Sequence, residues 1–238
     1  VYVIDTGVYS GHADFAGRVT SGYSAINDGN GSEDCNGHGT HVAGTIAGST
    51  YGVAKSTRVV AVRVLDCAGS GYSSSVVAGI NWVTQSHPGG AGIINLSLGG
   101  SANTAIDSAV ADATAAGLTV VVAAGNSSTD ACSSSPARAP SALTIGAINR
   151  NDAQASYSNY GSCVDIYAPG SSIFSSFPIG DFTIGRQSPS VVKRSGYGAI
   201  SGTSMASPHV AGAAAQLLSA NKSATPATIT NSLVTSAT

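Results

Sequence analysis

Continuous apolar runs rich in Val and Ile recur at 1–4, 59–65, 92–98, 118–124 and 142–148, with a weaker one at 164–168. They are short and do not alternate with polar residues, so each reads as a strand buried on both faces. Helical spacing lies between several of them. In 73–86, "SSSVVAGINWVTQS", Val76, Val77, Ile80 and Val83 recur every three to four residues. Residues 104–116 repeat that pattern with Ile106, Ala109, Val110 and Ala113, and Gly117 follows as a stop. The Ala-rich run after "SGTSMASPHVAG" reads as a buried helix, and Thr225-Pro226 opens a last one. Strands alternating with helices predict an α/β fold of three layers, a mostly parallel sheet flanked by helices. In such sheets ligands bind beyond the carboxyl ends of the strands, so functional residues are expected just after strands.

Composition narrows the class. The chain has 238 residues with no linker, repeat or low-complexity tract, and it reads as one domain over 1–238. Charged residues make up 9%, far below the ~25% usual for soluble domains, and Gly and Ser take their place. A net charge of -2 without a basic stripe argues against nucleic acid as a main partner. The run at 118–124 is too short to span a bilayer, and no membrane partner is expected. No signal peptide is present, and the chain opens inside a strand, so N-terminal residues are expected to be missing. Four cysteines, Cys35, Cys67, Cys132 and Cys163, allow three pairings. Their even number, with the low charge, favours an extracellular protein.

Several polar residues fall where the topology asks. Asp5 directly follows "VYVI", Asn126 follows "LTVVVAAG", His38 lies in "DCNGHGTHVAG", and Ser204 opens the helix after "SGT". An Asp, a His and a Ser can form a nucleophilic triad: the His takes the serine proton, and the Asp fixes the imidazole tautomer. Ser204 would meet unpaired N–H groups and the positive dipole end of its helix, which favour an oxyanion. Each residue also has an ordinary reading. Ser204 can be an N-cap, Asp5 can cap the turn "DTG", and Asn126 can be a turn residue or, as "NSS", a glycosylation acceptor. Cys35, His38 and His41 have metal-ligand spacing, but no further Cys/His cluster completes a tetrahedral site. "GTSMA" lacks the second Gly of the α/β-hydrolase elbow, which argues against an esterase.

Taken jointly, the segments are far more specific. "VIDTGV", "NGHGTHVAGTIAG", "VRVLD", "NLSLGG", "VVVAAGN", "SNYGSCVDIYAPG" and "SGTSMASPHVAG" stand in the order found in subtilisin-like serine proteases. The chain resembles the proteinase K branch of that family over nearly its whole length. The resemblance implies a secreted serine endopeptidase with Asp5, His38 and Ser204 as triad, and Asn126 with the Ser204 N–H as oxyanion hole. It implies that substrate adds as a strand between Gly69-Ser70-Gly71 and Ser97-Leu98-Gly99. The side chain before the scissile bond would lie against Ala123-Ala124-Gly125, whose small uncharged walls suit aromatic or aliphatic groups. It implies a structural calcium ion held by Asp165 and the carbonyls of Pro140 and Ala142, no organic cofactor, and pairings Cys35–Cys67 and Cys132–Cys163. Protein or peptide substrates, a monomer and a propeptide are further expectations.

Three departures from the family pattern stand out. The chain reads as truncated at both ends relative to that branch. An inserted loop near 178–199, with Lys193-Arg194 as a candidate nick site, precedes Ser204. Tyr72 lies three residues past Gly69, and Ser73 takes the place where the family often puts an aromatic. The alternative function is a catalytically impaired binding or scaffold protein. Retention of all four chemical residues argues against it.

Overall fold

A computed structural model describes residues 1–179 and 194–238. Seven strands form one sheet: β1 (Tyr2–Asp5), β2 (Val19–Ser24), β3 (Val59–Arg63), β4 (Gly92–Leu96), then β6 (Leu118–Ala123), β8 (Leu143–Ile148) and β9 (Ile166–Pro169). Two short strands, β5 (Gly100–Ser101) and β7 (Ser134–Ser135), pair antiparallel outside it. The sheet order is β2-β3-β1-β4-β6-β8-β9, and its six pairings are all parallel. Five of the six expected apolar runs hold the centre, and the weaker run at 164–168 supplies the edge strand β9. The opposite edge, β2, is one the apolar pattern does not show: "VTSGYS" is half-wet and carries a register shift between Ser21 and Tyr23.

Helices cover both faces. On one side, α1 (His38–Ala47), α4 (Thr203–Ala220) and α5 (Pro226–Ser236) pack on Val3, Ile93, Val121 and Ile145. On the other, α2 (Ser73–Ser86) and α3 (Thr104–Ala115) pack on Ile4, Val62, Ile94, Leu96, Val120 and Val122. Successive residues of one strand, such as Val3 and Ile4 or Ile93 and Ile94, enter opposite layers, which is why these strands are apolar throughout. The bounds of α2 agree with the spacing of its valines, and Thr225 caps α5 by accepting from Thr228 N–H.

Both disulfides form as the resemblance implies, Cys35–Cys67 and Cys132–Cys163. With separations of 32 and 31 residues, each is worth ~3–4 kcal/mol in the chain-entropy account. The first excludes the metal reading of Cys35, His38 and His41, because the thiol is spent. Among the described residues the one grouping of metal-type ligands, Asp28 with Cys35 and Cys67, contains this same bridge.

At each described end of the expected loop near 178–199 the chain lies in a strand. β10 (Ile173–Ile179) pairs antiparallel with β11 (Arg194–Ile200), from Ile173 opposite Ile200 to Ile179 opposite Arg194. The rest of the expectation, residues 180–193 with Lys193 included, lies outside the described residues. A buried polar seam docks the hairpin. His41 Nε2–H is shared between the carbonyls of Ile173 (2.9 Å) and Gly198 (3.1 Å). Ser175 donates to the His41 carbonyl, Ser176 donates to Asp14, and His12 Nε2–H donates to the Gly196 carbonyl. Burial lowers the His41 pKa to about 4, so this ring stays neutral and its bond to the hairpin does not change at ordinary pH.

Arg63 ends β3 fully buried, held by Asp28 through two contacts at 2.6 and 2.7 Å beside the Cys35–Cys67 bridge. The guanidinium holds the Asp28 carboxyl well below the usual carboxylate range. Asp28→Ala leaves a buried cation unpaired, and urea unfolding at pH 7 should show a loss of about 3–5 kcal/mol. A folded pKa below the unfolded one gives stability that is present above about pH 4. The difference between wild type and variant should therefore shrink as pH falls below that value.

Candidate active site

Asp5 is the last residue of β1 and is fully buried. Its Oδ1 accepts His38 Nδ1–H at 2.7 Å and Thr6 N–H at 2.7 Å, while Oδ2 has no partner among the described residues. A carboxylate can only accept, so the proton of the neutral ring sits on Nδ1 and Nε2 is left free to take one. Burial disfavours the charged ring, but the charge and hydrogen bond of Asp5, helped by the charge of Asp34, outweigh it and raise the His38 pKa. A quarter of the His38 side chain remains exposed (25%), so the ring is open to a ligand.

His38 meets Asp5 because of a residue the sequence reading passed over. Asp34 accepts from Thr6 Oγ1, Asn36 N–H and Gly37 N–H on one oxygen, and from Thr40 N–H and the Thr40 hydroxyl on the other. It caps the first turn of α1, where Gly37 offers no side chain, and ties that turn to the residue after Asp5. Gly39 permits the approach: a Cβ there would come within 2.1 Å of the Gly7 carbonyl oxygen.

Ser204 is the second residue of α4, and the cap position belongs to Gly202, so the N-cap reading of Ser204 fails. Its hydroxyl donates to the Ser97 carbonyl at 3.1 Å. Asn126 follows β6, and its Oδ1 accepts from both Thr203 N–H (2.8 Å) and Thr203 Oγ1 (2.9 Å). Those bonds fix which end of the amide is which, and the Nδ2 donors have no partner among the described residues. Thr203 is thus a second residue that motif order did not single out.

Two cavities open on this cluster. One of about 500 Å³ is lined by His38, Gly69-Ser70-Gly71, Ser97-Leu98-Gly99 and Ile106, which brings together the two expected substrate segments. The turn carrying Gly69 is held by Asp66, which accepts from Ala68 N–H and Ser70 N–H. Another of about 330 Å³ is lined by Ala123-Ala124-Gly125, Asn126, Thr203 and Ser204, with no charged residue. Tyr72 is 81% exposed and lines neither; Ser73 lines the first cavity, whose apolar walls are Leu65, Val76 and Ile106. A further hollow of about 390 Å³ lies on another side of His38, between Phe177 and Ala199-Ile200 of the hairpin.

Of the expected calcium residues, Asp165 is placed by a hydrogen bond to the strand that follows the other two. Asp165 Oδ2 accepts Thr144 N–H at 2.7 Å, two residues past Ala142. Burial raises the Asp165 carboxyl, a condition that a cation would reverse. Ser141, between the two carbonyl donors, buries its hydroxyl without a partner among the described residues. A carboxylate with carbonyl oxygens is a hard donor set that suits calcium.

No helix among the described residues is long and apolar enough to cross a membrane. The family model for the subtilase family, peptidase S8, matches residues 1–238. The chain is 52% identical to an extracellular serine proteinase of Thermus sp. (strain Rt41A), over 98% of this chain and 53% of that protein. It is 50% identical to alkaline serine exoprotease A of Vibrio alginolyticus, over 96% of this chain and 40% of that protein. Identity to proteinase T of Parengyodontium album is 49%, over 91% of this chain and 70% of that protein. The chain thus spans about half the length of several curated relatives it matches. The crystal structure of a cold-adapted subtilisin-like serine proteinase superposes with a TM-score of 0.89 at 50% identity, over 98% of this chain and 80% of that one. With the family's segments in order and its fold in place, the chain belongs to the subtilase family and stands with its proteinase K branch.

Proposed function

We propose that this chain is the peptidase domain of a secreted serine endopeptidase that cleaves protein and peptide chains through an acyl-enzyme. The observation that carries the reading is the 2.7 Å Asp5–His38 pair, which opens on the same cavity as Ser97, the residue whose carbonyl accepts the Ser204 hydroxyl, while Ser204 and the preset Asn126 amide line an uncharged cavity that shares Leu98-Gly99 with it. Secretion is supported by the two disulfides and by the extracellular name of the Thermus relative.

In this mechanism the Ser204 hydroxyl turns from the Ser97 carbonyl to His38. Nε2 takes its proton as Oγ attacks the substrate carbonyl carbon, and Asp5 stabilises the imidazolium that forms. The negative oxygen receives the Ser204 N–H and Asn126 Nδ2–H; a donor of this kind is worth ~10²–10³ in rate, a figure measured on another subtilisin. His38 then protonates the leaving amine, and water repeats the sequence on the ester. Substrate backbone lies as a strand between 69–71 and 97–99, and the residue before the scissile bond enters the cavity walled by Ala123, Ala124 and Gly125. Such a pocket separates related apolar side chains by only ~1–3 kcal/mol per methylene, so preference among aromatic and aliphatic groups is broad. Residues after the scissile bond face the hollow at Phe177 and Ile200. Asp165 and the carbonyls of Pro140 and Ala142 are the residues that would hold calcium, which would there tie the starts of β8 and β9 together.

Kinetics, pH dependence and calcium binding each test this reading. The chain should hydrolyse a chromogenic tetrapeptide with Phe before the leaving group, and Ser204→Ala should lower kcat by about 10⁶-fold. Asn126→Ala should cost ~10²–10³ with little change in KM; a folded wild-type chain without turnover would contradict the proposal. The rate must fall where His38 becomes protonated, so the acid limb of kcat/KM should have its midpoint above the ordinary histidine value of about 6.5. Asp5→Asn should remove that elevation and reduce kcat on the order of 10⁴-fold. Finally, calcium at a hundred times its Kd should add about 2.7 kcal/mol to unfolding. Asp165→Asn should abolish that increment, read as a calcium-independent Tm.

A further inference from the structure

Strand β4 reads Gly-Ile-Ile-Asn-Leu and lies mid-sheet, with Asn95 in register with Val3 of β1 and Val121 of β6. An amide there is fully buried among aliphatic neighbours, a costly placement unless every donor and acceptor is used. The sheet itself needs no such residue. Ile93, two positions earlier, packs in the layer of α1 and α4, so strand alternation sends Asn95 toward α4.

Its hydrogen bonds lead to the nucleophile. Asn95 Oδ1 accepts from the buried Ser207 hydroxyl at 2.8 Å, which fixes the direction of the amide. Nδ2–H donates to Ser97 Oγ at 2.9 Å. Ser97 has one hydroxyl proton, and it goes to the carbonyl of Ser204 at 2.8 Å. That carbonyl is the one that Pro208, lacking an N–H four residues on, leaves without its helical partner. Ser97 therefore grips the nucleophile residue at two points, since its own carbonyl accepts the Ser204 hydroxyl.

We propose that Asn95 is a positioning residue for Ser204, acting through the Ser97 hydroxyl on the carbonyl that Pro208 frees. This rests on the enzymatic reading above. By orienting the Ser97 hydroxyl, Asn95 fixes the backbone angle of Ser204 and so aims both its Oγ and its N–H. The need is local: a proline in the second turn of α4 removes the bond that would otherwise hold this residue, and the relay replaces it from the neighbouring strand.

The test separates positioning from packing. Asn95→Val combined with Ser207→Ala removes a buried polar pair together, a change that can be close to neutral for stability. The double variant should recover most of the Tm lost in Asn95→Val alone. Its kcat on the chromogenic tetrapeptide should still be down about 10- to 100-fold, the scale of a small misplacement of a reacting group, with KM within about twofold. Reaction with a small sulfonyl fluoride, which does not use the substrate strands, should slow by the same factor. Ser97→Ala, a smaller change that keeps the fold, should give the same loss, and adding Asn95→Val to it should cost little more. A double variant, or Ser97→Ala, with wild-type kcat and sulfonylation would overturn the proposal, as would a loss confined to KM. If the wild type fails both assays, the enzymatic reading falls and this proposal falls with it.

Discussion

The arrangement around Ser204 depends on a carboxylate that touches no substrate. Asp34 accepts five hydrogen bonds, from Thr6, Asn36, Gly37 and Thr40, and it joins the end of β1 to the first turn of α1. Bonds to a charged acceptor are each worth ~1.5–3 kcal/mol, so the junction is firm although Gly37 and Gly39 contribute no side-chain packing. Only with that turn fixed does His38 fall 2.7 Å from Asp5. The glycines are what the close approach requires, and Asp34 compensates for their conformational freedom.

The same economy recurs on the other side of the cleft. Thr203 orients Asn126, and Ser97 holds the carbonyl that Pro208 releases. In both cases a small polar residue beside a functional one determines where a donor points. The low charge of the chain follows from this style of construction: hydroxyls and amides, many of them buried, do work that a more charged protein assigns to ion pairs. Arg138 with Asp107 and Arg63 with Asp28 are exceptions among the described residues, the latter set beside a disulfide that joins the loop before His38 to the turn that carries Gly69.

What the sequence discloses follows from which interactions leave a local trace. Central strands buried on both faces are apolar throughout, and β1, β3, β4, β6 and β8 were legible from that alone. Edge strand β2 is half-wet and bulged, and the hairpin of β10 and β11 is held by a polar seam through His41, Asp14 and His12. Neither leaves a periodic signal. The four candidate chemical residues stood out because they lie at or just after strand ends, or at helix starts, within family motifs. Asp34, Thr203 and Asn95 were not, because their partners lie on other elements: Asn95 matters through Ser204 and Ser207, more than a hundred residues away in the chain. The disulfide pairing came from resemblance, since spacing leaves three choices open.

The central claim is that Ser204 is a nucleophile made reactive by the fold around it. The most direct measurement is the site and stoichiometry of labelling by a sulfonyl fluoride, read by peptide mass in the native and the urea-unfolded chain. The account predicts one adduct per native chain, on the peptide that contains Ser204, and none when the chain is unfolded. Labelling spread over other serines, or equal in the two states, would contradict it.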